Sequence, residues 1–153
     1  MNLLGPWQNE DFEAMSWHDV HVHGLRFVSF NEEYGAADFA LDIDYILKWE
    51  EVGSQLQFTI CRAELVFHNV FGLKLDLDYA TPSAGMCPLS LDSIEREVLS
   101  LPSGTRTFHW RIELNWPYGS IEFDAPAFTQ TLKGTPIVKQ GTQSLSPAER
   151  SAA

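Results

Sequence analysis

The chain has 153 residues, 44% hydrophobic and 12% aromatic, which suits one folded globular domain and argues against a disordered acidic chain. Lys and Arg number 10 against 21 Asp and Glu, a net charge of −11 that disfavours nucleic acid and anionic membranes and favours cationic partners. No stretch approaches the roughly 20 apolar residues of a membrane-spanning helix, and Met1 to Trp7 lack the basic start and apolar run of a signal peptide, so the expected location is cytoplasmic.

Residues 1–15 are polar and irregular. From Trp17 the pattern has period two, with Val20 and Val22 and then Leu25 and Phe27 around Gly24, a glycine that suggests a bulge. A turn at residues 31–35 leads to Phe39, Leu41, Ile43, Tyr45 and Leu47 on one strand face, with Asp38, Asp42, Asp44 and Lys48 on the other. After a turn at residues 50–54, Leu56 to Phe67 reads as one long strand or as two broken near Arg62. Residues 69–72 are expected to turn the chain before Leu73, Leu75, Leu77 and Tyr79 alternate with Lys74, Asp76 and Asp78. Residues 81–88 form a loop rich in Pro, Ser and Gly. Residues 89–101 are ambiguous: Leu89 and Leu91 fit a strand, while Ile94, Val98 and Leu101 fit helical spacing, and a short strand followed by irregular turns is the preferred reading. Phe108, Trp110, Ile112 and Leu114 form a clear strand, and turn residues 117–120 connect it to a hairpin mate carrying Ile121 and Phe123. Ser146-Pro147-Ala148-Glu149 has the form of a helix start, but residues 134–153 are expected to be an extended or frayed tail. The whole reads as a single domain, residues 1–153 with a core at about 16–133. Its fold class is all-β, an antiparallel β-sandwich or barrel with little helix.

Three constellations bear on function. The tetrapeptide Asp-x-Asp-Tyr occurs twice, at Asp42 to Tyr45 and Asp76 to Tyr79, and alternation points all four aspartates away from the core. If the two copies paired, carboxylates ~5 Å apart would repel by about 0.8 kcal/mol in water and about 3 kcal/mol at a surface dielectric of 20. That cost is tolerable, so Asp42, Asp44, Asp76 and Asp78 read as a solvated face and as a docking surface for a basic protein. Second, Asp19, His21 and His23 share a strand face, and His-x-His can present two imidazoles to Zn²⁺, with His68 or His109 as a further ligand. Third, Trp7, Trp49 and Trp116 beside carboxylates are candidates for stacking a sugar. No Gly-x-Ser-x-Gly elbow or phosphate loop occurs, so no catalytic residue and no cofactor is assigned. Cys61 lies in an apolar run and reads as a core residue, although a disulfide to Cys87 is an open alternative.

Trp17-His18-Asp19, Asp42 to Ile46 with Trp49, Ala63 to Val70, Gly119 to Phe123, and Phe128-Thr129-Gln130 together resemble a family of small uncharacterised bacterial proteins over residues 16–145. That resemblance implies a bacterial single-domain protein and transfers no catalytic residue. In size and charge the chain is also similar to immunity proteins of toxin systems. The functional expectation is a non-catalytic protein-binding domain, an immunity protein or inhibitor that docks a basic partner. The alternative is a metal-binding protein or metal-dependent hydrolase built on Asp19, His21 and His23.

Overall fold

The computed structural model describes residues 2–80 and 84–152. Eight strands follow in order: β1 (His21–Asn31), β2 (Ala36–Val52), β3 (Gln55–Leu77), β4 (Leu89–Ser100), β5 (Arg106–Trp116), β6 (Gly119–Ala125), β7 (Ala127–Leu132) and β8 (Ile137–Gln140). Two short 3₁₀ turns, Asn9–Ala14 and Ala84–Met86, and one helix, α1 (Pro147–Ser151), complete the described residues. Every pairing is antiparallel. The pairs β1–β2, β2–β3, β3–β6, β6–β5, β5–β4 and β4–β1 close a ring, so this is the expected all-β class in its barrel form. The closure is thin. Between β1 and β4 only His21 opposite Ser90 and Val22 opposite Leu89 are in register, helped by two bonds between Leu91 and the turn at Asp19 and Val20.

β3 organises the ring. Twenty-three residues at ~3.3 Å each would extend about 75 Å, far beyond a domain whose expected radius of gyration is about 15 Å. The strand must therefore bend, and it does so where a chain-reversing turn was expected: Asn69 and Gly72 adopt positive φ of 52° and 63°. Short of the bend β3 pairs with β2 on one edge and with β8 and β7 on the other; past it, β3 pairs with β6. The ambiguous segment 89–101 is also a strand, β4. Two register shifts against β5, at Ser90/Leu91 and Leu91/Ser93, interrupt its alternation, and beyond them Val98 and Leu101 are exposed, so the spacing of Ile94, Val98 and Leu101 marks no single buried face. The bulge expected at Gly24 is present, as a register shift between Val22 and Gly24. The loop read at residues 81–88 falls partly on 81–83, outside the described residues.

The interior is filled with rings. Phe67 lies 4.7 Å from Phe123 and 5.0 Å from Trp110, and Trp110 lies 5.8 Å from Phe128. Such pairs contribute roughly 0.5–1.5 kcal/mol each beyond their buried area. The N-terminal segment, irregular in sequence, plugs one end with Trp7, Phe12 and Trp17, all buried. Trp17 Nε1 donates to Oε1 of the buried Gln130 (2.8 Å), and the backbones of Trp7 and Gln130 exchange two bonds. Arg96 is stacked on the rings of Phe12 and Phe108, 4.3 and 4.4 Å away.

The C-terminal segment is not a frayed tail. Ile137 to Gln140 pair with β3. Ser146 Oγ accepts from the Glu149 amide while Glu149 Oε1 accepts from the Ser146 amide, the reciprocal cap anticipated from sequence. A five-residue helix is marginal alone. Here Leu145, buried against Phe58 and Ile60, and an ion pair from Lys139 to Glu149 hold it down.

Candidate functional site

On the outer side of β1, β2 and β3 the alternation places Asp42 and Asp44 as expected, with Ile43 and Tyr45 buried beneath them. The expected exposure fails at Asp44, whose exposure is 0%. Its carboxylate accepts from His23 Nε2 (2.7 Å), from the Leu145 amide (2.9 Å) and from Arg150 on α1. Asp42 also takes Arg150, together with the Arg62 Nε at 3.1 Å. Burial works to raise the Asp42 pKa, but bonds from Arg150 and Arg62 outweigh it and hold it below the ordinary carboxylate value. The reason is topological: the last segment folds back over a face that periodicity alone leaves open.

The second copy of the tetrapeptide lies elsewhere. β2 and β3 do pair, but Asp42 faces Glu64 and Asp44 faces Arg62, so the imagined repulsion between the two copies does not arise. Asp76 sits past the bend, opposite Ser120 of β6, twelve positions along β3 from Glu64. Asp76 and Asp78 are exposed, and so are Leu77 (36%) and Tyr79 (52%), which periodicity assigned to the core. The four aspartates thus form two separate sites. Glu122 and Asp124 are also engaged: His109 Nδ1 lies 2.7 Å from Asp124, and Arg111 donates to Glu122. The bond to Asp124 raises the His109 pKa.

Asp19, His21 and His23 are not assembled as a metal-holding group; among the described residues no set of three His, Cys, Asp or Glu is placed to hold an ion. His23 turns to Asp44. Asp19 accepts from Asn115 Nδ2 (3.0 Å) and Gln143 Nε2 (3.1 Å), and its backbone has a φ of 63°. His21 Nδ1 is buried without a hydrogen-bond partner, and burial pushes the imidazole pKa below its usual value. His68 and His109 lie on other strands. Cys61 is buried and Cys87 exposed, and both are free thiols.

Sequence reading missed one constellation. His68 Nε2 is 2.8 Å from Thr129 Oγ1, His68 Nδ1 is 3.0 Å from Asp38 Oδ2, and Asp38 Oδ1 accepts from the Asn69 amide. This is the order of nucleophile, base and orienting acid in acyl transfer. None of the cavities described here is lined by any of the three. The arrangement is a polar clasp across β2, β3 and β7; with sequence separations of 30 and 61 residues, no local motif announces it.

Two surface concavities stand out. A polar one of about 420 Å³ is lined by Arg26, Asp42, Arg62, Glu64 and Lys133, with its charges largely paired. The other, about 440 Å³, is apolar on its walls, with Ile46, Trp49, Leu56 and Phe58 from the β2–β3 hairpin. Asp19, His18 and Gln143 supply its polar side. Of the three tryptophans considered for ligand stacking, Trp7 is buried and Trp116 half-buried, whereas Trp49 is 68% exposed beside this cleft. No helix among the described residues is long and apolar enough to cross a membrane. No protein-family model matches the chain, and no curated protein matches it at a significant level, so its geometry alone carries the functional argument.

Proposed function

We propose that the protein is a non-catalytic binding domain for a basic protein partner, in the manner of an inhibitor or immunity protein. The observation that carries this reading is the placement of charge. Arg26, Lys48, Arg62, Arg96, Arg111, Lys139 and Arg150 are engaged by carboxylates of the same chain. The surplus behind the net charge of −11 therefore lies outward, at exposed residues such as Glu32, Glu33, Glu51, Asp76, Asp92, Glu95 and Glu97. Asp42 and Asp44 serve the fold, and the steering role passes to these outward acids. Complementary charge raises association rates and makes them sensitive to salt.

The test is a panel of small folded basic proteins presented to the full chain in stopped-flow or surface binding at low and physiological salt. A true partner associates more slowly as salt rises. Asp76→Asn with Asp78→Asn lowers its association rate about two- to fivefold at low salt and leaves dissociation nearly unchanged. Association that ignores both salt and these substitutions removes the reading.

A further inference from the structure

We propose that the Trp49 cleft is the gripping point for that partner and receives one arginine side chain, its guanidinium stacked on the indole and paired with the Asp19 carboxylate. This rests on the basic-partner reading and gives it a site. The cleft offers what such a side chain needs. Ile46, Leu56 and Phe58 form an apolar wall for the methylene stem, which arginine lays along apolar surface while its head stays polar. Trp49 presents its ring from the open side, and indole is the strongest aromatic face for a cation. No Lys or Arg lines the cleft; His18 Nε2 lies 3.5 Å from Asp19 Oδ2, but its ring is largely exposed and can share the carboxylate with an incoming guanidinium. Glu51, two residues along β2, shares the strand face of Trp49 and adds to the negative field.

Asp19 is built for the role. Its left-handed backbone is fixed by the bond from its amide to the Leu91 carbonyl (2.9 Å), and Asn115 and Gln143 hold one carboxylate oxygen each. An ionised carboxylate has about four acceptor positions, so two neutral amides leave capacity for a guanidinium. Its side chain keeps 33% exposure, enough to be reached from the cleft. Asp42 and Asp44 differ on this point, since Arg150 already occupies them. An anionic ligand is disfavoured by the same charge that draws a cation.

The experiment titrates the full chain with hexa-arginine and with its neutral isostere hexa-citrulline at physiological salt. Calorimetry reads affinity, and NMR follows the Trp49 indole N–H. Trp49→Ala alters an exposed side chain and leaves the fold intact; Tyr34→Ala, an exposed aromatic beside Glu32 and Glu33 on another hairpin, is the control. Hexa-arginine is expected to bind and shift the Trp49 signal. Trp49→Ala should weaken it about tenfold, Tyr34→Ala less than about twofold, and hexa-citrulline should not bind. If Trp49→Ala costs nothing, or no more than Tyr34→Ala, the cleft is not the grip, while the basic-partner reading stands. Equal binding of hexa-citrulline overturns the ion-paired site. Failure of the wild-type chain to bind hexa-arginine removes both readings.

Discussion

At the scale of single residues, the protein spends its polar groups on holding segments together. Asp44 is inside because three donors meet it. His21 has the opposite character: a ring nitrogen buried without a partner, with burial outweighing the attraction of Asp44 and Asp19 and His23 adding repulsion. Its pKa in the fold therefore lies below the 6.5 of an ordinary imidazole. The unfolded chain then takes up the proton first, so stability is full above pH ~6.5 and falls as the pH drops below it. Replacing His21 with Asn should flatten that decline, measured as denaturation midpoint against pH between about 8 and 5. His109, whose pKa is raised, works in the reverse sense and loses its contribution as pH rises. An unchanged slope in His21→Asn would show that another group governs the acid limb.

At the scale of elements, the strands follow period two through the stretches that pair without a register shift, such as Phe39 to Ile46 and Phe108 to Leu114, and depart from it where the ring must bend or close. β2, β5 and β6 were legible for the first reason. β3 and β4 were not, because a bend with left-handed residues resembles a turn, and because β4 loses its alternation at two shifts and then exposes apolar residues at Val98 and, just past its end, at Leu101. The β3–β6 seam has its own constraint at Gly119, where an added Cβ would run into the backbone carbonyl of Asp76. Flexible side chains can yield, but a laddered backbone cannot. Gly119→Ala should therefore destabilise the protein by about 1–3 kcal/mol in chemical denaturation. Hydrogen exchange should quicken at the amides of residues 74–77 and 119–122 first. A stability unchanged within a few tenths of a kcal/mol would mean that the seam tolerates a shift.

For the whole molecule, the barrel is closed by what lies outside it. The N-terminal rings plug one end, and the C-terminal segment straps β1, β2 and β3 through Asp42, Asp44 and Arg150. Removing one partner of a buried charge costs more than the pair contributes, because the other is left without compensation. Arg150→Ala should therefore release the strap and lower stability by about 2–3 kcal/mol. The Leu145 amide, which donates to Asp44, should lose its exchange protection. Arg150→Lys should fall between, since it keeps the charge without the planar fork. Protection of Leu145 that survives Arg150→Ala would show that the strap is held by Leu145 packing instead.

The sequence by itself determined the all-β class, most strand faces, the bulge at Gly24, the capped helix start at Ser146 and the acidic surplus, because each depends on neighbours within a few residues. Only the tertiary structure decided that Asp44 is internal, that Asp76 lies far along β3 from Glu64, the residue facing Asp42, that Asp19 and His23 are turned to different partners, and that Trp49 lines a cleft with Asp19. Periodicity assigns a residue to one side of a strand. What comes to cover that side depends on where distant segments return, and here the covering segment lies about a hundred residues further along the chain.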